Sequence, residues 1–223
     1  PVSGLTMPRE FIRALGLIKS AAAEANVKLG HLDKASAKAI RAAAEQVAAG
    51  GVDEHFPIDV FQTGSGTSSN MNANEVIAHL AEAAGTTVHP NDHVNAGQSS
   101  NDVIPTAILV SASLATTEKL LPALKHLRKT IDTRAKELKK VVKTGRTHLM
   151  DAMPITFGQE LSGWSAQIAD ASERITDTLK RTRRLPQGGS AVGTGINADP
   201  KFGPAVGGEV KRITGVKMEV SEE

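Results

Sequence analysis

An all-α fold is what this 223-residue sequence predicts, and three observations carry the prediction. Aromatic residues make up only 3% and tyrosine is absent, which removes residues that favour strands, while the abundant alanine and leucine favour helix. Apolar residues recur at three- and four-residue spacing through several long windows. Glycines punctuate those windows, as at Gly50-Gly51 and in "PQGGSAVGTGIN".

Thr6 and Pro8 supply a cap and an early-turn proline for the first helix, whose apolar face is Ile12, Leu15, Ile18 and Ala22. A second helix is expected from Asp33 to Ala49, stopped by Gly50-Gly51. "FPIDVFQTGSGTSSN" reads as a loop, and a short helix through "NANEVIAHLAEAAG" is expected to start at a capping box formed by Asn72 and Glu75. The polar stretch "VHPNDHVNAGQSSND" has few apolar anchors and reads as a functional loop.

From Asp102 to about Val142 the pattern is helical, with Leu120, Leu124, Leu127, Ile131, Ala135 and Leu138 as a bundle-like seam. Pro105 sits near the start, where its missing N–H costs little, whereas Pro122 is expected to kink or break the run. The polar segment "KTGRTHLMDAMPITFGQE", 143–160, is expected as a break between two long helices. Thr156 and Gln159 form the next capping box, and Leu161, Trp164, Ile168, Ala171, Ile175 and Leu179 carry the next apolar stripe. Two such helices joined by a short turn should pack antiparallel. Asp199-Pro200 then opens a last short helix ending near Gly215.

Composition excludes several classes of function. The net charge is only +2, and the basic run "KELKKVVK" reads as a solvated helix face without interleaved aromatics, so no nucleic acid is expected as a partner. With no cysteine the chain offers no disulfide, thiol nucleophile, Cys-ligated zinc or iron–sulfur cluster. No apolar run approaches the roughly 20 residues of a membrane span, and "PVSGLTMPREF" lacks the pattern of a signal peptide. A cytoplasmic setting and no membrane are expected. The chain has no initiator Met and stops at "VKMEVSEE", so it is expected to be processed or a fragment.

Four polar motifs carry potential chemistry. "TGSGTSSN", 63–70, fits neither a dinucleotide fingerprint nor a P-loop. It is either a capped turn or a hydroxyl-rich glycine loop whose donors suit a small anion such as a carboxylate. "QSSND", 98–102, again places hydroxyls and an amide at a helix entrance, as plain caps or as a second carboxylate cradle. In "HPNDH", His89 and His93 have the spacing of a helical metal pair, but Pro90 argues for a loop and no third ligand is evident, so no metal is expected. In "GRTHLMDAMP", His148 lies beside Arg146 and Thr147; imidazole suits proton transfer near neutral pH, though a lone loop histidine is commonly an ordinary surface residue.

Taken together and in order, "TGSGTSSNMNANE", "VHPNDHVN", "GQSSND", "GRTHLMDAMPITFGQE" and "GGSAVGTGIN" resemble the class II fumarases of the fumarase/aspartase superfamily, from about Thr6 to Gly215. Asp92 in "HPND", Ser100 in "SSND" and His148 after Thr147 favour fumarase over aspartase. The resemblance implies an N-terminal helical domain over 1–98, followed by the first long helices of a bundle over 99–223. It implies a homotetramer whose active sites each draw on three subunits, reversible hydration of fumarate to L-malate, and no cofactor. It assigns substrate-carboxylate contacts to Ser65, Gly66, Thr67, Ser99, Ser100 and Asn101. Thr147 contacts substrate from a neighbouring subunit, and His148 takes part in proton transfer through a bound water. His89, Pro90, Asn91 and Asp92 match a secondary anion site.

Two departures stand out. Thr86 occupies the position where many relatives carry an arginine three residues before the "HPND" histidine. The family's Gly-Ser-Ser-x-Met-Pro-x-Lys-x-Asn loop, which supplies the base serine, does not occur in these residues. The expectation is therefore the N-terminal and early central part of a fumarase, inactive alone. An aspartase-like ammonia lyase and a non-catalytic helical scaffold are the alternatives, with a metal hydrolase built on His89 and His93 a distant third.

Overall fold

The computed structural model describes residues 2–221. Helices dominate: α1 (Arg9–Leu29), α2 (Lys34–Ala49), α3 (Thr67–Ala83), α4 (Ser100–Ala115), α5 (Leu121–Glu137), α6 (Phe157–Thr182) and α7 (Phe202–Thr214). The strands form two small sheets, an antiparallel pair β1 (Val142–Thr147) and β2 (Met150–Thr156), and a parallel pair β3 (Arg184–Leu185) and β4 (Glu219–Val220). The predicted helical class is borne out. The chain divides into two compact units, one formed by residues up to Ser113 together with those from Thr182 onward, the other by Leu114–Arg181.

In the first unit α1 is the buried axis, with α2, α7 and α3 packed against it. The face read from spacing, Ile12, Leu15, Ile18 and Ala22, is fully buried. Gly16 marks the closest approach of α1 to α2: a Cβ there would lie 2.6 Å from the Ala44 carbonyl oxygen and 2.7 Å from the Ala48 nitrogen. α2 has the expected bounds, since Asp33 caps it by accepting from the Ala35 and Ser36 N–H groups at 2.9 and 3.0 Å, and Gly50 ends it.

Other boundaries differ from expectation. Pro8, in an extended conformation, precedes α1, and Thr6 does not cap it but bridges to Asp59. α3 starts at Thr67 rather than at the Asn72 capping box, because Gly66 turns left-handed and Gln62 holds the first turn, exchanging bonds with the Ser69 hydroxyl and N–H at 2.8 and 3.0 Å. Asn72 instead donates from inside α3 to the His55 carbonyl. α7 starts at Phe202, after Asp199-Pro200, and ends at left-handed Gly215 as read.

In the second unit Pro122 leaves the mark expected of it. A π-turn, Thr116–Leu120, precedes α5 and ends with the Leu121 N–H bonded to the Thr116 carbonyl, which widens the helix where proline removes a donor. α5 and α6 run antiparallel: Asp132 accepts from the Ser165 hydroxyl, while farther along α5 the Leu138 carbonyl accepts from the Gly158 N–H. Gly158 is required there, since a Cβ would lie 2.7 Å from the Ala135 carbonyl oxygen. The Thr156–Gln159 capping box forms with reciprocal bonds of 2.8 and 3.1 Å. Yet the apolar stripes are only partly covered, with Leu120, Leu127 and Trp164 exposed. The continuous helical run Ser100–Glu137 also contains an 18-residue window of mean hydropathy 1.3, more apolar than the sequence reading allowed.

The segment expected as a plain break is a β-hairpin. Thr147 pairs with Met150 across a two-residue turn in which His148 and Leu149 have φ of 50° and 61°. Both residues are left-handed, as a type I′ turn requires, but neither is the usual asparagine or glycine. That is why turn chemistry did not announce the hairpin.

The first unit buries two opposite charges. Lys19 is wholly inaccessible, and its ammonium donates to Asn95 Oδ1 and Gln98 Oε1, each at 3.0 Å. Burial lowers its pKa from 10.5 to about 7, opposed in part by the charge of Asp102. Asp102, also buried, is pushed up by desolvation against the pull of three N–H groups, those of Ser99, Ser190 and Gly188.

Two outcomes follow for stability. Gly16→Ala places a methyl against backbone that cannot move aside and should lower stability by about 2 kcal/mol or more in urea unfolding. Lys19 binds fewer protons folded than unfolded between about pH 7 and 10.5, so its contribution rises with pH across that window and is lost as pH falls through about 7. Urea midpoints measured at pH 6.5 and 9 should rise for the native sequence and rise less for Lys19→Met; equal rises would contradict this.

Candidate active site

Two helix entrances meet in the first unit. At the first, Gly66 has φ of 67°, and a Cβ there would lie 2.9 Å from Ile104 of α4, so only glycine lets the start of α3 close onto α4. The Gly66 carbonyl accepts from the Ser69 and Asn70 N–H groups, leaving those of Thr67 and Ser68 at the open helix end. Ser65 and Thr67 share a hydroxyl bond of 2.8 Å and are exposed.

At the second entrance Ser99 caps α4. Its Oγ accepts from the Asn101 N–H at 3.2 Å, while Asp102 Oδ1 accepts from the Ser99 N–H at 3.0 Å. Ser100 Oγ accepts from Asn70 Nδ2 of α3 at 3.0 Å, which ties the two entrances together. Asn101 donates through Nδ2 to the Ala191 carbonyl at 2.8 Å. Asp102 Oδ2 completes the frame by accepting from the Gly188 and Ser190 N–H groups at 3.1 and 3.0 Å, holding the glycine-rich segment against α4.

This geometry has a chemical direction. The Ser99 and Ser100 oxygens each accept one bond from inside the protein, which turns each O–H away from that donor and leaves its proton for the open side. Together with the free N–H groups at the start of α3, they make a donor surface at two positive helix ends, suited to a carboxylate.

The segment His89–Asp92 forms a π-turn, Pro90–Val94, capped by His89, whose Nδ1 accepts from the Asn91 and Asp92 N–H groups at 3.2 and 3.1 Å. His93 Nδ1 accepts from the His89 N–H at 2.8 Å, so both rings commit one nitrogen to backbone. Among the described residues no group of three or more His, Asp or Glu is placed to hold a metal. Asn91 and Asp92 line a cleft of about 650 Å³ with Ser99, Asn95, Gln98 and Ser190, whereas His89 and Pro90 do not. That cleft carries Asp92 and neither lysine nor arginine.

Thr147 and His148 belong to the second unit, where both are exposed at the end of the hairpin. Arg146 pairs with Asp151 across the strands at 3.2 Å. The exposure of Leu149 is complete at 101%, and Met150 and Met153 beside it are also exposed.

Sequence reading singled out Ser65–Thr67 and Ser99–Asn101 but not the polar residues behind them: Asn70, Asn74, Asn95 and Asp102, which lie within the same quoted motifs, and Lys19, which lies outside them. One signal was available: Lys19 falls four residues after Leu15, on the apolar face of α1, where a charge needs a partner.

A family model described as lyase matches residues 4–223. A curated class II fumarate hydratase of Xylella fastidiosa is 63% identical over 220 residues, covering 98% of this chain and 46% of that protein. One from Pseudomonas aeruginosa, "Fumarate hydratase class II 2", is 53% identical over 224 residues, covering 100% and 49%. The crystal structure of a class II fumarase from Schistosoma mansoni superposes with a TM-score of 0.93 at 38% identity, covering 98% of this chain and 50% of that one. The chain thus spans about half the length of the curated relatives it matches. The likeness runs through fold and sequence together: the chain belongs to this lyase family.

Proposed function

We propose that the whole protein to which this chain belongs is a fumarate hydratase, adding water reversibly to fumarate to give L-malate. The observation that carries this reading is the donor polarity where α3 and α4 begin: Ser99 and Ser100 accept internally and keep their protons for a ligand. In the malate-to-fumarate direction, loss of a C–H proton puts a second negative charge on the neighbouring carboxylate. Donors fixed in advance on that aci-carboxylate stabilise it without reorganising.

In this reading Ser65, Gly66, Thr67, Ser99, Ser100 and Asn101 hold the substrate carboxylates, and Thr147 adds a contact from a neighbouring subunit. His148 manages the proton of the leaving hydroxyl through a bound water. The base that removes the C–H proton lies outside these 223 residues, since no Gly-Ser-Ser-x-Met-Pro-x-Lys-x-Asn segment occurs within them. His89, Pro90, Asn91 and Asp92 make a secondary anion site in this reading, where binding would rely on N–H and O–H donors because the cleft lined by Asn91 and Asp92 carries no lysine or arginine.

A homotetramer is proposed as what covers the exposed stripes of α5 and α6 and the bare Leu149 at the hairpin tip. The division at residue 98, with a bundle domain beginning at 99, is proposed for that assembled protein, as are a cytoplasmic setting and the absence of metal or organic cofactor. The second reading is an aspartase-like ammonia lyase, which uses the same cradle.

Full-length protein mixed with fumarate should consume its absorbance in water alone, with no requirement for ammonium, while the 223-residue chain by itself should show no turnover. Robust turnover by that chain would overturn the claim that the base lies elsewhere. His148→Asn in the full-length protein should lower kcat by about 10²–10⁴ while changing KM little, as expected for loss of a proton-transfer group.

A further inference from the structure

The hydrogen bonds behind the cradle have a direction, and a buried lysine sets it. As an ammonium, Lys19 has only donors to offer. Facing it, Asn95 must therefore present its oxygen, which accepts at 3.0 Å. That same Oδ1 accepts from Asn70 Nδ2 and Asn74 Nδ2, each at 3.2 Å, so neither amide can turn its own oxygen toward it. With its nitrogen fixed on this side, Asn70 donates a second bond to Ser100 Oγ at 3.0 Å.

The arrangement carries an evident penalty. Asn70 Oδ1 and Asn74 Oδ1 are buried without a hydrogen-bond partner, a pattern that freely rotating amides would relieve. Asn70 and Asn74 are wholly inaccessible to bulk solvent. Each amide is held in its costly orientation through Asn95, which is itself fixed by two neighbours that do not reverse, the lysine ammonium on its oxygen and the Gln98 carbonyl on its nitrogen.

We infer that Lys19, Asn95 and Asn70 form a directional relay that orients the Ser100 hydroxyl so that its proton is offered to the substrate carboxylate. The inference rests on the fumarate hydratase reading above and deepens it. Asn70 and Asn95 are positioning residues: they act through Ser100, and neither needs to touch substrate. With one lone pair of Ser100 taken from behind by Asn70, the hydroxyl proton is turned away from Asn70 and toward the ligand side. With Asn70 gone, the hydroxyl rotates and can accept from its surroundings.

The test is a double-mutant cycle in the full-length protein, with fumarate turnover measured for the native sequence, Asn70→Ala, Ser100→Ala and the pair. Asn70→Ala is expected to raise KM by about tenfold with the native Ser100 and by less than about twofold in the Ser100→Ala background. Equal effects in both backgrounds, or none in the first, would overturn the relay. If Ser100→Ala leaves KM unchanged, the assignment of Ser100 as a carboxylate contact fails, and the relay with it. If no fumarate is consumed by the native protein, it is the functional reading that fails. Should Asn70→Ala not fold, Asn70→Ser, which is too short to reach Ser100 but keeps a polar group, carries the same cycle with the same expectation.

Discussion

The contact between the Lys19 ammonium and the Asn95 side-chain oxygen organises the first unit. One oxygen atom accepts from α1 through Lys19 and from α3 through Asn70 and Asn74, while the Asn95 nitrogen donates to the Gln98 carbonyl at 3.2 Å, just before α4. Three elements are thus fixed to a single amide. Asp102 supplies the opposite charge and spends its own oxygens on the cap of α4 and on the glycine-rich segment. Remove the lysine, and only the bond from Asn95 to the Gln98 carbonyl remains to decide which way the asparagines face.

Such an arrangement is a poor way to gain stability. A buried ammonium whose pKa has dropped to about 7 reports a desolvation penalty that its two amide partners and Asp102 do not cancel. An apolar residue in that position would fit the α1 face better. The unfavourable features nevertheless cluster. Beside the cradle lie the buried charges and unpartnered amide oxygens, and at the hairpin tip lies a turn with two left-handed residues, neither of them glycine. Local strain concentrated beside candidate functional residues, in a chain whose helices are otherwise conventionally built, is the pattern expected where geometry is kept for chemistry.

What the sequence made legible was what local physics decides. Asp33 and Gly50 bound α2, and Thr156 with Gln159 opens α6, because capping chemistry is contained within a few residues. Pro122 announced its disturbance for the same reason, though not its form as a π-turn. The start of α3 was misplaced because it depends on a tertiary fact, the space Ile104 leaves at Gly66 and the clasp of Gln62. The hairpin was missed because His148 and Leu149 are not residues that favour left-handed backbone, so pairing between strands, rather than turn propensity, must impose it. The serine motifs could be read as helix caps or as a cradle from sequence alone, and only the direction of the bonds behind them separates the two.

That separation has a wider consequence for how the site divides its labour. In the proposed site the donor groups come from short contiguous motifs, Ser65–Thr67 and Ser99–Asn101, which any helix entrance could supply. Their orientation comes from Asn70 and Asn95, in two different motifs, and from Lys19, distant from both. A plain N-cap needs its serine only as an acceptor, and Ser99 alone meets that need for α4. Ser100 accepts from another helix for which it caps nothing, at the expense of buried amide oxygens left unpaired. A structural role for Ser100 would be met without that expense, so the orientation of its hydroxyl is better explained by what the proton faces than by what the oxygen holds.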